Sequence, residues 1–201
     1  MTNQFSRAEL LSRGAKGGIA VMAGGSAFAI LAGSAQAATL PDGDLAYLRM
    51  LIATELLGAD FYGNAIKAQP YGSVGSRALK LALFNEGEHY TALAAIFTGA
   101  GQTPATADDI DFTYPNGAFD STGAVTKQAV ALEALFLGAY LGAVTGVQTA
   151  SLLGQLSRIA ANQAQHLAVF NELLGRPGFQ ISLPEPLAID AASDALAAYT
   201  G

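Results

Sequence analysis

An internal duplication set on helical periodicity constrains this chain more than any other feature. Glu55 is followed seven residues later by Tyr62, and Glu133 seven residues later by Tyr140. Asn85-Glu86-Gly87-Glu88-His89 is answered by Asn162-Gln163-Ala164-Gln165-His166. The separations agree, at 31 residues from Glu55 to Glu86 and 30 from Glu133 to Gln163. Around these markers apolar residues recur at three-and-four spacing, as in Leu48, Leu51, Ile52, Leu56 and Ala59, the signature of a helix with one buried face. The spacing predicts helices over residues 44–69, 76–99, 123–150 and 151–174, with Ser76 as an N-cap and a weaker amphipathic stretch over 189–199. Between the second and third helices, residues 99–122 carry Pro104 and Pro115 and lose all periodicity, so they read as a long crossover. The expected fold is all-α: a four-helix bundle of two antiparallel hairpins joined by that crossover, with a short C-terminal extension.

Three carboxylates lie inside the apolar stripes. Glu55 has Leu51 and Ile52 one turn before it and Ala59 one turn after; Glu86 lies between Leu83 and Tyr90, and Glu133 between Ala129 and Leu137. A buried carboxylate without a partner costs several kcal/mol, so each must be protonated, paired with a cation or bound to a metal. Lys67, Lys80, Lys127 and Arg158 lie about two turns or more from these acids along their helices. Both histidines stand three residues after a polar core position, as Glu86 to His89 and Gln163 to His166, so each pair shares one helix face. Two readings follow: a metal site at one level of the bundle, or a hydrogen-bonded polar core of protonated glutamates.

These residues resemble the ferritin-like superfamily, whose carboxylate sites take one Glu from each of two helices and a Glu-x-x-His from each of the other two. Glu55 and Glu133 match the single glutamates, Glu86 with His89 matches one motif, and Gln163 with His166 matches the other with Gln for Glu. The wording around the motifs, Phe61-Tyr62, Ala139-Tyr140, and His89 leading to Gly101 and Pro104, is similar to exported ferritin-like domain proteins grouped with desiccation-related proteins. The resemblance covers residues 43–177. It implies a metal set of Glu55, Glu86, His89, Glu133, Gln163 and His166, holding iron as a di-iron or single-metal centre, with manganese or zinc as alternatives. It also implies ferrous iron and a small oxidant, dioxygen or peroxide, as partners. Three glutamates supply three negative charges where two divalent ions bring four positive, so Gln163 weakens the second position. Tyr62 and Tyr140 are expected to lean back toward Glu55 and Glu133 of their own helices, whether to hydrogen-bond a ligand carboxylate, to relay an electron, or as core packing.

The rest of the sequence bounds the function further. Ten basic against sixteen acidic residues, with a pI near 4.7, give nothing to draw a phosphate backbone, so nucleic acid is excluded as a partner. The absence of cysteine excludes thiolate metal sites, iron-sulfur clusters and thiol nucleophiles. Arg7, Arg13 and Lys16 precede an uncharged run whose apolar heart is Ile19 to Leu31, closed by Ala35-Gln36-Ala37. That is the pattern of an export signal over residues 1–37, giving a periplasmic or envelope location, or a membrane tether where the segment is retained. Its removal takes three basic residues and one acid, leaving seven against fifteen. The domain plan is then 1–37 signal or anchor, 38–178 bundle and 179–201 tail with a short helix. Gly138, Gly142 and Gly146 recur every fourth residue, which fits close helix approach in a soluble bundle or a homodimer face.

Overall fold

The computed structural model describes residues 39–68, 71–179 and 181–200. The export segment lies outside these residues. The helices are α1 (Asp42–Ala68), α2 (Ser73–Gly99), α3 (Thr122–Gly146), α4 (Ala150–Leu173) and α5 (Ile189–Ala197). The hairpins are α1 with α2 and α3 with α4, and they meet along α1 with α3 and α2 with α4. The architecture is the expected all-α four-helix bundle with a long crossover. Leu48, Leu51, Leu57 and Phe61 of α1, Phe97 of α2, Phe136 of α3, and Leu156 and Phe170 of α4 fill the core. Helix α3 is long and apolar enough to cross a membrane, yet it packs against α1, α4 and α5 with about half of its apolar stretch buried, and it carries the buried Glu133.

Several helix boundaries depart from expectation. Helix α2 begins at Ser73, with Gly72 at the N-cap, so Ser76 lies inside the first turn instead of capping it. At the start of α3, Ser121 takes the cap and its Oγ accepts from Ala124 N–H at 3.1 Å. The same helix stops at Gly146, short of residue 150, although no Gly or Pro follows. The reason is Asp44 of α1, buried beneath the α3–α4 turn, whose carboxylate accepts from Gln148 N–H at 2.8 Å and Thr149 N–H at 2.9 Å. Burial works against this charge, but hydrogen bonds from Thr149 and Gln148 outweigh it and hold the carboxyl below its ordinary range. Replacement Asp44→Ala leaves two backbone donors without their acceptor and is expected to cost about 1–3 kcal/mol. A drop in urea midpoint at unchanged slope will report it; an unchanged midpoint would show that solvent replaces the carboxylate there.

The row of glycines has a different role from either expected one at two of its three positions. Residues 185–187 run across α3, where Leu187 N–H donates to the Gly138 carbonyl at 2.9 Å. A Cβ on Gly142 would lie 1.8 Å from the Leu187 carbonyl oxygen, and one on Gly138 2.7 Å from the Leu187 side chain. Gly146 makes room for Tyr47 of α1, a close approach of the expected kind. The glycines are thus covered by the chain's own tail and first helix, which removes the basis for a dimer face at this row. Beyond the strap, α5 packs on α1 and α3. Residue Thr200 then pairs with Phe112 of the crossover, and Thr113 N–H donates to the Tyr199 carbonyl at 2.7 Å. The crossover itself holds a 3-10 turn over Ala107–Asp109, closed by a reciprocal Thr106–Asp109 capping box.

Candidate metal centre

The six polar residues picked out by the repeat come from four different helices and meet inside the bundle. Glu55, Glu86, Glu133 and Gln163 have no solvent exposure and His166 is 7% exposed. Glu86 is the centre of the group. Its Oε2 lies 3.2 Å from His89 Nδ1, which is also 3.2 Å from Glu55 Oε2. Its Oε1 lies 3.2 Å from His166 Nδ1, which is also 3.2 Å from Glu133 Oε1. Two triads therefore share one carboxylate: Glu55, Glu86 and His89, and Glu86, Glu133 and His166. Gln163 Nε2 donates to Glu86 Oε2 at 3.1 Å. Glu88 and Gln165 face solvent, as their position two residues from the inward ones requires.

The tyrosines cross between the halves. Tyr62 of α1 donates to Glu133 of α3, and Tyr140 of α3 donates to Glu55 of α1. Each phenol thus serves the glutamate of the opposite half, and not that of its own helix as expected. A buried side chain can reach the facing helix as well as the preceding turn of its own, and here the hydroxyls meet the facing helix. Burial and the neighbouring carboxylates push both phenols well above their ordinary range, so they remain neutral donors.

Without metal the cluster balances its charge by protonation. Burial and the Glu86 charge push Glu55 well above the ordinary carboxylate range, leaving it a neutral acid bonded to Glu86. Burial opposes ionisation of Glu86 too, but hydrogen bonds from Glu55, His166 and His89 hold it well below that range. Burial and Glu86 push Glu133 up to about 7. Burial opposes the charge on His166, yet hydrogen bonds to Glu133 and Glu86 push it up to about 10. Both of these folded values lie above the ordinary 4.5 and 6.5. Their contribution to stability is complete below the ordinary values and lost as pH rises through the folded ones. The chelator-treated protein should therefore melt roughly 5 °C or more lower near pH 9 than near pH 6. A metal-loaded sample should lose that slope, since ligation displaces the protons. A melting temperature that rises across this interval without metal would contradict the assignment.

The donor set fits a metal better than it fits a closed hydrogen-bond network. Glu133 Oε2 and Gln163 Oε1 are buried without a polar partner, and Glu86 Oε1 and Glu133 Oε1 share the single His166 Nδ1, each at 3.2 Å. Nitrogen and oxygen ligands about 2.0–2.2 Å from a divalent ion lie about 3 Å from one another, so these spacings fit ligands around a shared centre as well as they fit direct hydrogen bonds. Imidazole and carboxylate donors suit iron, manganese or zinc.

Two supporting residues were not foreseen. Gly58, one turn after Glu55, lies under Glu86: a Cβ there would sit 3.1 Å from Glu86 Cγ and 3.1 Å from the Phe136 ring. Phe136 is its repeat counterpart, one turn after Glu133, so a ring in one half fills against the hydrogen of the other. A glycine in the middle of a long helix is costly and could have drawn notice. Asn85 Nδ2 lies 2.9 Å from His166 Nε2, orienting the ring so that Nδ1 faces the cluster. Its signal was the Asn that opens both repeats.

A family model described as a ferritin-like domain matches residues 43–176. No curated protein matches the sequence. The match spans well over half of the chain, including all four long helices and every residue of the buried cluster, and on that basis the chain belongs to the ferritin-like domain family.

Proposed function

We propose that this protein is an exported ferritin-like oxidoreductase that holds a di-metal or single-metal carboxylate centre and oxidises ferrous iron with dioxygen or peroxide. The observation that carries the reading is Glu86, whose two oxygens each face a glutamate and histidine from other positions in the bundle. Glu55 with His89 and Glu133 with His166 would each hold one ion, with Glu86 between them and Gln163 as a weak sixth ligand. The bound metal would supply one-electron redox chemistry at a site where small oxidants bind. The chain's own part is to set the donors on four helices, release the protons of Glu55 and Glu133 as metal enters, and exclude bulk water. Tyr62 and Tyr140 hold Glu133 and Glu55 in place through their hydroxyls.

Gln163 favours a second reading. Its amide closes a hydrogen bond on Glu86 where a fourth carboxylate would stand, as expected of a stress or desiccation-related envelope protein that keeps the bundle without working metal. Metal content by mass spectrometry, on protein purified without chelator and again after anaerobic ferrous loading, separates the two. About two ions per chain, with ferrous oxidation on exposure to dioxygen or peroxide, supports the first. No ion after loading overturns the first and leaves the cluster a hydrogen-bonded polar core.

A further inference from the structure

All seven exposed large apolar side chains among the described residues lie on the half of the bundle where α2 begins and α4 ends, or in the tail that leaves it. Val74, Leu81 and Phe84 stand on the first half of α2, Val169 near the end of α4, and Phe179, Ile181 and Leu183 in the tail. On α2, Val74, Arg77, Leu81 and Phe84 step by three, four and three, so they form one line along the helix, with Lys80 beside it. The line faces away from Leu79, Ala82 and Glu86, which turn into the core, and its three apolar members are 51–71% exposed. The three tail residues are 68–92% exposed. Basic residues gather in the same half. Tyr71, whose hydroxyl donates to the Thr122 carbonyl at 2.9 Å, sets the start of α3 beside the α1–α2 turn. Of the seven basic residues that follow residue 37, Lys67, Arg77, Lys80, Lys127 and Arg176 therefore stand here, all exposed. Outside the buried cluster, the helices of this half carry two acids. Asp60 is tied to Tyr114 and Asn64, and Glu172 accepts from Gly178 N–H at 2.6 Å; Asp120 stands just ahead of α3. A chain with fifteen acids against seven bases beyond residue 37 thus has one positive, apolar end.

We propose that this half of the bundle docks on a membrane surface that carries anionic phospholipid. Leu81, Phe84 and the tail's Phe179 and Ile181 enter the headgroup and upper acyl region. Arg77, Lys80 and Arg176 keep their charges on the phosphates and lay their apolar stems beside the entering side chains. Charge decides between this partner and a second copy of the chain. A twofold dimer through this face would set it against itself, bringing Arg77 and Lys80 of each copy toward the same positive surface. An anionic bilayer offers negative charge at the depth of the guanidinium and ammonium groups, with hydrocarbon below it. It also asks for no matching groove, and the outer line of α2 is a convex face. An exposed apolar surface rimmed by polar groups is a mark of an interaction site. The docking involves none of the buried donors, so it is independent of metal at the cluster.

The whole chain has no cysteine, so Leu81→Cys creates a single attachment point for an environment-sensitive fluorophore. Vesicles of phosphatidylglycerol mixed with phosphatidylcholine should shift its emission to the blue, vesicles of phosphatidylcholine alone should not, and high salt should reverse the shift. Because the label reports its own surroundings, attachment through residues 1–37 does not mimic this result. The same label at Ser151→Cys, exposed at the opposite end of α4, should stay unshifted. In the protein labelled at position 81, Arg77→Glu with Lys80→Glu, and separately Phe84→Ser with Phe179→Ser, should each raise the lipid needed for half-maximal shift by about tenfold or more. All four side chains are exposed, so circular dichroism and melting temperature should match the labelled parent. No shift on anionic vesicles overturns the docking. So does an equal shift on neutral vesicles, an equal response at Ser151→Cys, or parent-like titration of both variants. A label already blue-shifted before lipid is added overturns it too, and light scattering then shows whether a second copy or the chain itself covers the face.

Discussion

Protein carrying Glu86→Ala is expected to lose metal from both positions, whereas Glu55→Ala should lose it from one. Glu86 is the only residue common to the two triads, with one oxygen toward each histidine. Its removal leaves one carboxylate and one imidazole per position and cuts the cluster's negative charge by a third. Altering groups that merely support a ligand costs roughly 10–100-fold in metal affinity, so loss of a shared ligand should cost on the order of 10²-fold or more at each position. The metal-free protein should also suffer. Glu86 is the ionised partner of His166, and removing one member of a buried charge pair costs about 3–5 kcal/mol. Circular dichroism must therefore show a folded bundle before titration calorimetry and metal content are read. Wild-type stoichiometry in folded Glu86→Ala protein would mean that metal binds elsewhere.

The reverse change, Gln163→Glu, should tighten metal binding and weaken the metal-free fold. Gln163 is fully buried, its Oε1 lacks a partner, and its Nε2 donates to Glu86. A glutamate there supplies the fourth negative charge for two divalent ions. Affinity for the second ion should rise by about tenfold or more, in line with the sensitivity of metal sites to their surrounding donors. Without metal, a fourth buried acid sits against Glu86 with its donated hydrogen bond gone, and the variant should stay protonated or lose about 1–3 kcal/mol. The two outcomes move in opposite directions, and thermal melts with and without manganese read both at once. A variant that is less stable in both conditions would show that the cluster is a polar core and that position 163 has settled as an amide.

The sequence made the bundle legible because its strongest signals are local. The three-and-four spacing around Glu55 and Glu133, and the Glu86–His89 and Gln163–His166 steps, fix which face of each helix turns inward without reference to any partner. The repeat put the four markers at matching separations, hence at one level, and the structure brings their side chains together. Misread features depend on contacts between distant segments. The break after Gly146 is made by Asp44, about a hundred positions earlier, and no residue near the break announces it. Gly138 and Gly142 look like a helix-packing row until the tail is laid across them. The tyrosines were expected to meet the glutamates of their own helices, and only the placement of α1 beside α3 shows that each meets the glutamate of the other.

The crossed tyrosines bear on how such a chain could arise. Because each phenol completes the site of the opposite hairpin, a solitary hairpin of this kind has no finished centre and would need a second copy of itself in solution. Residues 100–121, which join the two hairpins, make that encounter a tethered one whose local concentration is set by linker length. Two halves on one chain can also differ. In a pair of identical hairpins a glutamine at position 163 would appear at position 86 as well, and with it would go the carboxylate that both triads share. The asymmetry between Glu86 and Gln163, and between Gly58 and Phe136, is one that a pair of identical hairpins could not show.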